Sequence, residues 1–161
     1  MRAVVQRVAR AAVSVVDGDE EREVGRINRG VVALLGVADG DTEMEAERMA
    51  RKIATLRIFP DAGGKLNLDV GEAGGAALLV SQFTLLADTR KGRRPSFIDA
   101  ASRELGERLY ESVVTRLRET GLTVQTGLFR THMRVDILND GPVTIILDTQ
   151  DWVGPGAGQG A

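Results

Sequence analysis

Two apolar segments constrain the fold of this chain most strongly. One is Val31 to Val37, "VVALLGV", and the other is Ala76 to Asp88, "AALLVSQFTLLAD". Continuous apolar runs of this length are typical of buried strands. The second run is interrupted by Ser81, Gln82 and Thr84, and a buried strand accommodates such side chains only when they are hydrogen-bonded or face a cleft. This segment is therefore both a predicted central strand and a candidate site.

Further β runs lie at both ends of the chain. Near the start they are Ala3 to Val8 and Ala12 to Val16. Near the end, "RVDILNDGPVTIILDT" reads as two short strands joined by Asn139 to Pro142, which predicts a closing hairpin. Pro142 removes a backbone donor, and a Gly-Pro bond is one of the few peptide bonds that can be cis. The loop is either an ordinary turn or a rigid wedge that presents main-chain atoms to another molecule.

Two segments have the periodicity of amphipathic helices. Thr42 and Glu45 form a capping box, and apolar residues follow it at helical spacing until about Leu56. The second helix is expected from near Asp99 to Gly121, with a leucine or valine at every fourth position. Because strands outnumber helices, we expect an α/β chain of mixed, α+β-like character. Its curved, largely antiparallel sheets would be covered on one side by two main helices.

The chain has the size of a single domain. Residues 1–150 form the predicted domain, and residues 151–161 form a Gly-rich tail that is expected to be disordered. Arg2, Arg7 and Arg10 interrupt the apolar residues at the start, so no signal or membrane segment is predicted there and a cytoplasmic location is expected.

The composition excludes several kinds of chemistry. The chain has no cysteine, which excludes thiolate catalysis and cysteine-ligated zinc. Its one histidine, His132, lies among polar residues and is expected at the surface rather than in a catalytic triad. We therefore expect neither a metal nor an organic cofactor. The net charge of −2 gives no general attraction to nucleic acid, although Arg90 to Arg94, "RKGRR", is either a solvated loop or a local phosphate contact.

The polar interruption of the central strand carries the remaining chemistry. Strand alternation would place Ser81 and Phe83 on one face and Gln82 and Thr84 on the other. Hydroxyls, an amide and strand-end N–H groups bind a carbonyl and a water well but transfer protons poorly. Such a site suits an already reactive bond, for which positioning and oxyanion stabilisation are enough. The alternative is that Ser81 and Thr84 only bond neighbouring backbone.

Two motifs together resemble a known family. "SQFTLLAD", Ser81 to Asp88, and "NDGPVT", Asn139 to Thr144, are similar to the paired signature motifs of the bacterial and eukaryotic D-aminoacyl-tRNA deacylases. The opening "MRAVVQRV", the segment "LRIF" and the segment "KGRRPSF" also look like this family. The resemblance extends from Met1 to about Asp148.

The resemblance implies an activity and a partner. Members of the family are homodimers that hydrolyse the ester between a D-amino acid and tRNA, and they also remove glycine from mischarged tRNA. Their sites lie at the dimer interface, and a cis Gly-Pro motif enters the partner's pocket to exclude L-amino acids. By this resemblance Gly141-Pro142 would be that wedge, made of backbone because every D-side chain has to be accepted.

The resemblance also implies residue roles. The pocket for the terminal adenosine and the aminoacyl group would be lined by Ser81, Gln82, Phe83 and Thr84, with backbone from Phe129 and Met133. Arg7 would hold the Gly-Pro carbonyls in orientation. Thr84 would be either the nucleophile or an orienting group beside a water that is assisted by the 2′-hydroxyl of the terminal ribose. We favour the second role, because no base lies near Thr84 in the sequence.

One segment departs from the family pattern. The usual Gly-Arg-Phe-Gly-Ala-x-Met is replaced by "GLFRTHM", so that Leu128, Arg130 and Thr131 stand in place of an arginine and two small residues. Arg130 would either reach a tRNA phosphate or narrow the entrance of the pocket. Two other functions stay open on the residues alone: a non-catalytic tRNA-binding module that uses Arg90 to Arg94, and a general hydrolase of small esters.

Overall fold

A computed structural model describes residues 1–152 and gives one domain of strands and helices. The strands are β1 (Arg2–Asp17), β2 (Glu20–Ile27), β3 (Gly30–Gly36), β4 (Phe59–Pro60), β5 (Leu66–Leu68), β6 (Ala76–Ser81), β7 (Val124–Thr126) and β8 (Met133–Asp148). The helices are α1 (Glu43–Thr55) and α2 (Arg103–Glu119), and short 3-10 turns span Phe83–Leu86 and Thr149–Trp152. The first two residues of the predicted tail belong to the last turn, and residues 153–161 lie outside the described part of the chain. None of the helices within residues 1–152 has the length and apolar character needed to cross a bilayer.

β4 and β5 form a small two-stranded sheet, and the other six strands form one curved, mixed sheet. Its order is β2-β1-β3-β6-β7, and β8 pairs with the other edge of β1. The pairs made by β1 are antiparallel, whereas β3–β6 and β6–β7 are parallel. The curvature brings β2 against β6 and β7, so that the sheet is nearly a barrel. The predicted fold class, a mixed α/β domain with a curved, largely antiparallel sheet and two main helices, is confirmed.

The two sides of the sheet enclose different apolar cores. On the helix side, β1 contributes Ala3 and Val5, and the buried faces of both helices cover them. On the inner side of the curve, Val8 and Val13 of β1 pack with Leu78 of β6. The capping box of α1 is as predicted, and the apolar residues predicted at helical spacing, Ala46, Met49, Ala50 and Ile53, are buried; both signals are encoded within one segment.

The predicted hairpin at the end of the chain is wrong, and so is the division of the first strand. Both halves of β8 pair with the single long strand β1: Thr144 to Asp148 lie opposite Arg2 to Gln6, and Met133 to Asn139 lie opposite Val8 to Val15. Between these two ladders β8 advances five residues while β1 advances two. The Asn-Asp-Gly-Pro segment is therefore a large bulge in a continuous strand, since each half finds its partner in β1 rather than in the other half.

The predicted central strand ends earlier than its apolar character suggested. β6 stops at Ser81, and the chain then enters the 3-10 turn. Gly36, at the end of β3, makes room for this turn: a Cβ there would lie 2.9 Å from the carbonyl oxygen of Gln82 and closer still to Leu86. The alternation predicted for Ser81 to Thr84 is consequently wrong, because only Ser81 belongs to the strand. The second helix begins at Arg103 rather than Asp99.

Candidate functional site

The candidate site begins where β6 ends. The backbone N–H of Gln82 donates to the carbonyl of Leu35 at 2.8 Å, and this hydrogen bond to β3 immediately precedes the turn. The Gln82 amide then donates to the hydroxyl of Thr84. Thr84 is exposed and Phe83 is 57% exposed, so the turn presents both side chains to solvent. The Thr84 hydroxyl is thus held by a side-chain amide and not by backbone.

The same turn leaves backbone donors available. The backbone N–H of Leu85 donates to the carbonyl of Gln82 at 3.2 Å, and the backbone N–H of Ala87 donates to the carbonyl of Thr84 at 3.1 Å. The preceding amides, those of Phe83 and Thr84, form no hydrogen bond with any residue in the described range. Adjacent free N–H groups beside a hydroxyl can stabilise a developing oxyanion. The sequence indicated strand-end donors here, but only the turn shows which two they are.

An apolar cavity of about 260 Å³ adjoins the turn. It lies between the turn, the start of α2 and the segment that precedes β8, and its lining includes Ser81, Phe83 and Phe129. A larger and more polar depression of about 480 Å³ lies near Arg2 and Asp88 but contains none of these three residues. We take the smaller cavity as the candidate substrate pocket, because it is apolar and adjoins the available donors.

Phe129 is positioned by a tyrosine that the sequence did not single out. The ring of Tyr110 packs on Phe129 with centroids 6.1 Å apart, and its hydroxyl donates to the carbonyl of Leu79 at 2.9 Å. Burial raises the pKa of Tyr110 above its ordinary value, so the hydroxyl stays a donor. Its sequence signal is that of an ordinary core position of α2, which is why pattern alone could not identify it.

The basic segment, Arg90 to Arg94, forms a loop that follows the Phe83–Leu86 turn and is closed by a backbone bridge between Asp88 and Ser96. Asp88 and Ser96 exchange backbone hydrogen bonds at 2.8 and 2.9 Å, and Phe97 packs edge-on against Phe83 with centroids 5.0 Å apart. Arg90 pairs with Asp88 at 2.8 Å. This guanidinium lowers the pKa of the Asp88 carboxyl to about 2, with help from the Arg90 backbone N–H. The loop is therefore anchored at its base.

The bulge of β8 is held by buried polar contacts. Arg7 is only 8% exposed; its Nη1 donates to the carbonyl of Ile58 at 2.6 Å and its Nε to the carbonyl of Asp140 at 3.1 Å. Asn139 closes the bulge by donating to the carbonyl of Val143 at 3.1 Å. The Gly141-Pro142 bond is cis, and both residues are exposed. Arg7 thus holds the carbonyl just before Gly141, whereas the resemblance implied contacts with the Gly-Pro carbonyls themselves.

The bulge and the pocket of one chain are well separated. Arg7, which holds the bulge, lies opposite Val31 of β3, whereas Ser81 lies opposite Leu35, four residues further along that strand. At about 3.3 Å per residue, the backbone positions of Arg7 and Ser81 are about 13 Å apart along β3. Within one chain the residues from Ser81 to Thr84 and Phe129 come together, whereas Arg7, Gly141 and Pro142 form a second group.

Two further residues lie outside the pocket. Met133 is the first residue of β8, and its half-buried side chain packs against the inner core instead of lining the cavity. His132 is exposed, as expected, and its carbonyl accepts from the backbone N–H of Val16 at 2.9 Å. The imidazole is thus placed away from the Thr84 hydroxyl, at the far end of β1.

The fold and the pocket define a small α/β protein whose site is built from hydroxyl, amide and main-chain donors beside an apolar cavity. Residues 4–148 match the family described as D-Tyr-tRNA(Tyr) deacylase, and the chain belongs to this family of ester hydrolases.

Relatives support this assignment along nearly the whole chain. The chain is 57% identical over 150 residues to the D-aminoacyl-tRNA deacylase of Anaeromyxobacter dehalogenans, covering 93% of this chain and 98% of the relative. It is 54% identical over 149 residues to the enzyme of that name from Thermotoga petrophila, covering 92% and 97%. A solved structure described as a c-Myc DNA unwinding element binding protein is similar at 44% identity with a TM-score of 0.83, covering 92% of this chain and 98% of that one.

Proposed function

We propose that the chain hydrolyses the ester bond of D-aminoacyl-tRNA, and of tRNA mischarged with glycine, releasing the free amino acid and the tRNA. One observation carries the proposal: the Ser81 to Thr84 turn and the apolar cavity adjoin each other in a chain that matches a deacylase family along residues 4–148. An aminoacyl ester is already reactive, so a site that positions it and stabilises an oxyanion is sufficient.

The pocket has suitable surfaces for the end of the tRNA. Phe83 and Phe129 offer apolar faces on which the terminal adenosine can stack. The free N–H groups of Phe83 and Thr84 would bind the carbonyl oxygen as it becomes an oxyanion, and one such donor is typically worth about 10²- to 10³-fold in rate. Ser81 adds a hydroxyl at the pocket wall.

The attacking group in this proposal is water rather than Thr84. The Thr84 hydroxyl receives its hydrogen bond from Gln82, and neither a carboxylate nor an imidazole bonds it within residues 1–152. A threonine without a neighbouring base is a weak nucleophile. The 2′-hydroxyl of the terminal ribose would assist the water, which adds to the ester carbonyl. The ribose oxygen leaves with a proton from that water, and Thr84 orients the reactants.

The bulge of β8 would make the pocket of a dimer partner selective for D-amino acids. Because Arg7, which holds the bulge, and Ser81, in the pocket wall, are about 13 Å apart along β3, Gly141-Pro142 would line a pocket only on a second copy. Leu138 and Ile146, which flank the bulge, are 44% and 71% exposed and offer an apolar surface for that copy. In a two-fold symmetric homodimer each bulge would enter the other protomer's pocket. A main-chain carbonyl near the substrate Cα would then exclude L-side chains.

The first experiment compares D-tyrosyl- and L-tyrosyl-tRNA in the same deacylation assay. The expected result is rapid loss of the D-ester and loss of the L-ester at its spontaneous rate. Binding of tRNA without loss of either ester would instead identify a non-catalytic tRNA-binding module. Cleavage of simple esters that lack tRNA at a comparable rate would identify a general esterase.

The cross-subunit arrangement has its own test. Gly106 lies in the cavity wall, so Gly106→Trp fills the pocket, and Gly141→Ala distorts the bulge without touching the pocket of the same chain. In a mixed dimer, the Gly141→Ala protomer supplies the one intact pocket and the Gly106→Trp protomer supplies the one intact bulge. The two meet only if each pocket receives the bulge of the partner. We expect mixing to restore discrimination between the esters. Unchanged discrimination in a mixed dimer verified by native mass spectrometry would contradict the arrangement.

A further inference from the structure

The rim of the pocket carries two arginines that the proposed chemistry does not use. Arg103, the first residue of α2, and Arg130, in the segment before β8, both line the cavity beside Ser81 and Phe83. Both are exposed, and neither forms an ion pair with any residue of the described chain. Two arginines without an ion-pair partner in the lining of one apolar cavity give it a local positive charge in a protein whose net charge is −2.

Arg130 is held in an unusual backbone conformation. Its φ is 61°, and it is the one residue other than glycine with positive φ in the described range. The hydroxyl of Thr131 donates to the carbonyl of Leu128 at 2.9 Å and closes the turn around it. A long side chain in the left-handed region is disfavoured, so the surrounding structure maintains this position at the mouth of the cavity.

The exposed position of Arg130 indicates that its side chain binds a polar ligand and does not fill the cavity. A guanidinium that filled the apolar cavity would lose its hydration without an acidic partner. It stays exposed instead and lines the same cavity as Arg103, and planar guanidiniums match the oxygens of phosphate groups. The cavity adjoins the donors of the turn that would hold the ester, so a phosphate of the same substrate would lie near its rim.

We infer that Arg103 and Arg130 bind the phosphodiester on the 5′ side of the terminal nucleotide of the tRNA, with Arg130 as a positioning residue for the 3′ end. The inference rests on the proposed function, because it assigns the part of that substrate that lies just outside the pocket. It also gives the segment around Arg130 a role in recognising the nucleic acid rather than the amino acid.

The test measures binding, so that it does not depend on hydrolysis. The probes are two stable analogues in which D-tyrosine is joined to 3′-amino-3′-deoxyadenosine by an amide, one with a 5′-phosphate methyl ester and one without it. The proteins are the parent chain, Arg130→Gly, Arg130→Lys and Arg103→Gln. Arg51→Gln, an exposed arginine on α1, is the matched control for loss of one positive charge.

The phosphate-bearing analogue should bind the parent more tightly than the other analogue. Arg130→Gly should weaken its binding about tenfold, as expected for loss of one charged hydrogen-bonding partner, and leave the phosphate-free analogue unchanged. Arg103→Gln should act in the same direction, Arg130→Lys should be intermediate, and Arg51→Gln should have no effect. Added salt should weaken binding of the phosphate-bearing analogue to the parent, and it should weaken binding to Arg130→Gly less, because one charge pair is lost.

Two results would overturn the inference. One is equal affinity of the parent for the two analogues, which would mean that the rim does not recognise phosphate. The other is an equal change in both affinities in Arg130→Gly, which would mean that Arg130 shapes the entrance. Failure of the proposed function is a separate observation, namely that the parent does not hydrolyse D-tyrosyl-tRNA.

Discussion

Arg7 and Asp140 are joined by two contacts, because Nε of Arg7 donates to the Asp140 carbonyl at 3.1 Å and lies 3.3 Å from its carboxylate. The same guanidinium satisfies the buried carbonyl of Ile58. Arg7→Met would leave both carbonyls without this donor, and we expect the free energy of unfolding to fall by about 2–3 kcal/mol. Urea denaturation measures this as a lower midpoint with an unchanged slope.

Asp140→Asn is the control for the exposed part of this contact. It keeps the backbone carbonyl and removes only an ion pair whose carboxylate is 52% exposed. Its cost should stay below about 1 kcal/mol. Equal losses in the two variants would show that the side-chain pair, and not the main-chain contacts, holds the bulge.

Thr84→Ala should retain substantial activity on D-tyrosyl-tRNA. If the hydroxyl orients the reactants, kcat should fall by no more than about tenfold, whereas loss of a covalent nucleophile costs about 10⁴-fold or more. Gln82 bonds this hydroxyl, so Gln82→Ala and the double variant should cost little more than Thr84→Ala alone. A fall to the spontaneous rate in Thr84→Ala would favour the covalent mechanism.

Gly141→Ala should reduce discrimination between D- and L-tyrosyl-tRNA. A Cβ at this position would lie 2.7 Å from the Val143 side chain and 2.8 Å from its backbone nitrogen, and φ is 138°. The bulge therefore has to move, and we expect the ratio of the two deacylation rates to fall at least about tenfold, roughly the loss of one steric contact in a pocket.

Gly18→Ala tests whether this effect is local. Gly18 also has positive φ, 59°, but a Cβ there meets nothing within 4 Å, in a turn far from the bulge. Alanine there carries only the moderate backbone cost of the left-handed region, and it should leave discrimination unchanged. Intact selectivity in a folded Gly141→Ala protein would argue against a backbone wedge.

Arg130→Gly should stabilise the chain slightly. Glycine adopts φ near 61° freely, although its greater freedom in the unfolded state offsets part of the gain, which leaves about 0.5–1 kcal/mol. Arg130→Ala keeps a Cβ in the same conformation and should give no gain. Thermal unfolding of the three proteins distinguishes the outcomes, and equal stabilisation by alanine would mean that backbone conformation is not the cause.

The basic loop should lose its anchor in acid. The folded pKa of Asp88, about 2, lies below the ordinary value of 3.8, so its contribution to loop order is complete above the ordinary value and is lost as pH falls towards 2. The protection factor of the Arg90 amide, in which the exchange rate is corrected for its intrinsic pH dependence, should fall between pH 5 and pH 2 because this N–H donates to the Asp88 carboxylate.

The same anchor can be removed by substitution at neutral pH. In Asp88→Asn the loop should open and trypsin should cleave after Lys91 and Arg93 sooner than in the parent. Asp99→Asn, a nearby exposed carboxylate without an ion pair among residues 1–152, is the control. Equal cleavage in parent and Asp88→Asn would show that the backbone bridge to Ser96 suffices.

The success of sequence reasoning depended on how local each signal was. Helix α1 was predictable because Thr42, Glu45 and the buried stripe lie in one segment. The end of β6 was not, because it depends on Gly36 giving space to Leu86 across the sheet. The hairpin predicted at the end of the chain was wrong for the same reason. The partner of β8 is β1, which lies more than a hundred residues away in the sequence.

The candidate site likewise contains residues that a local sequence pattern identifies and residues that only the packing of distant segments brings there. The polar residues from Ser81 to Thr84 were located by their contrast with the apolar run around them. Tyr110 has no such contrast, and its approach to Phe129 results from the packing of α2 against the sheet. Met133 was assigned by motif position, and its side chain packs in the inner core.

The pairing of both halves of β8 with β1 also affects how the domain unfolds. The upstream half of the strand packs into the inner core and the downstream half into the helix-covered core, yet both are laddered to the same strand. Neither core can open without breaking hydrogen bonds to β1, so the two cores should unfold together as one cooperative unit. Arg7 and the bulge lie at the junction of the two cores, where a local defect would first allow them to separate.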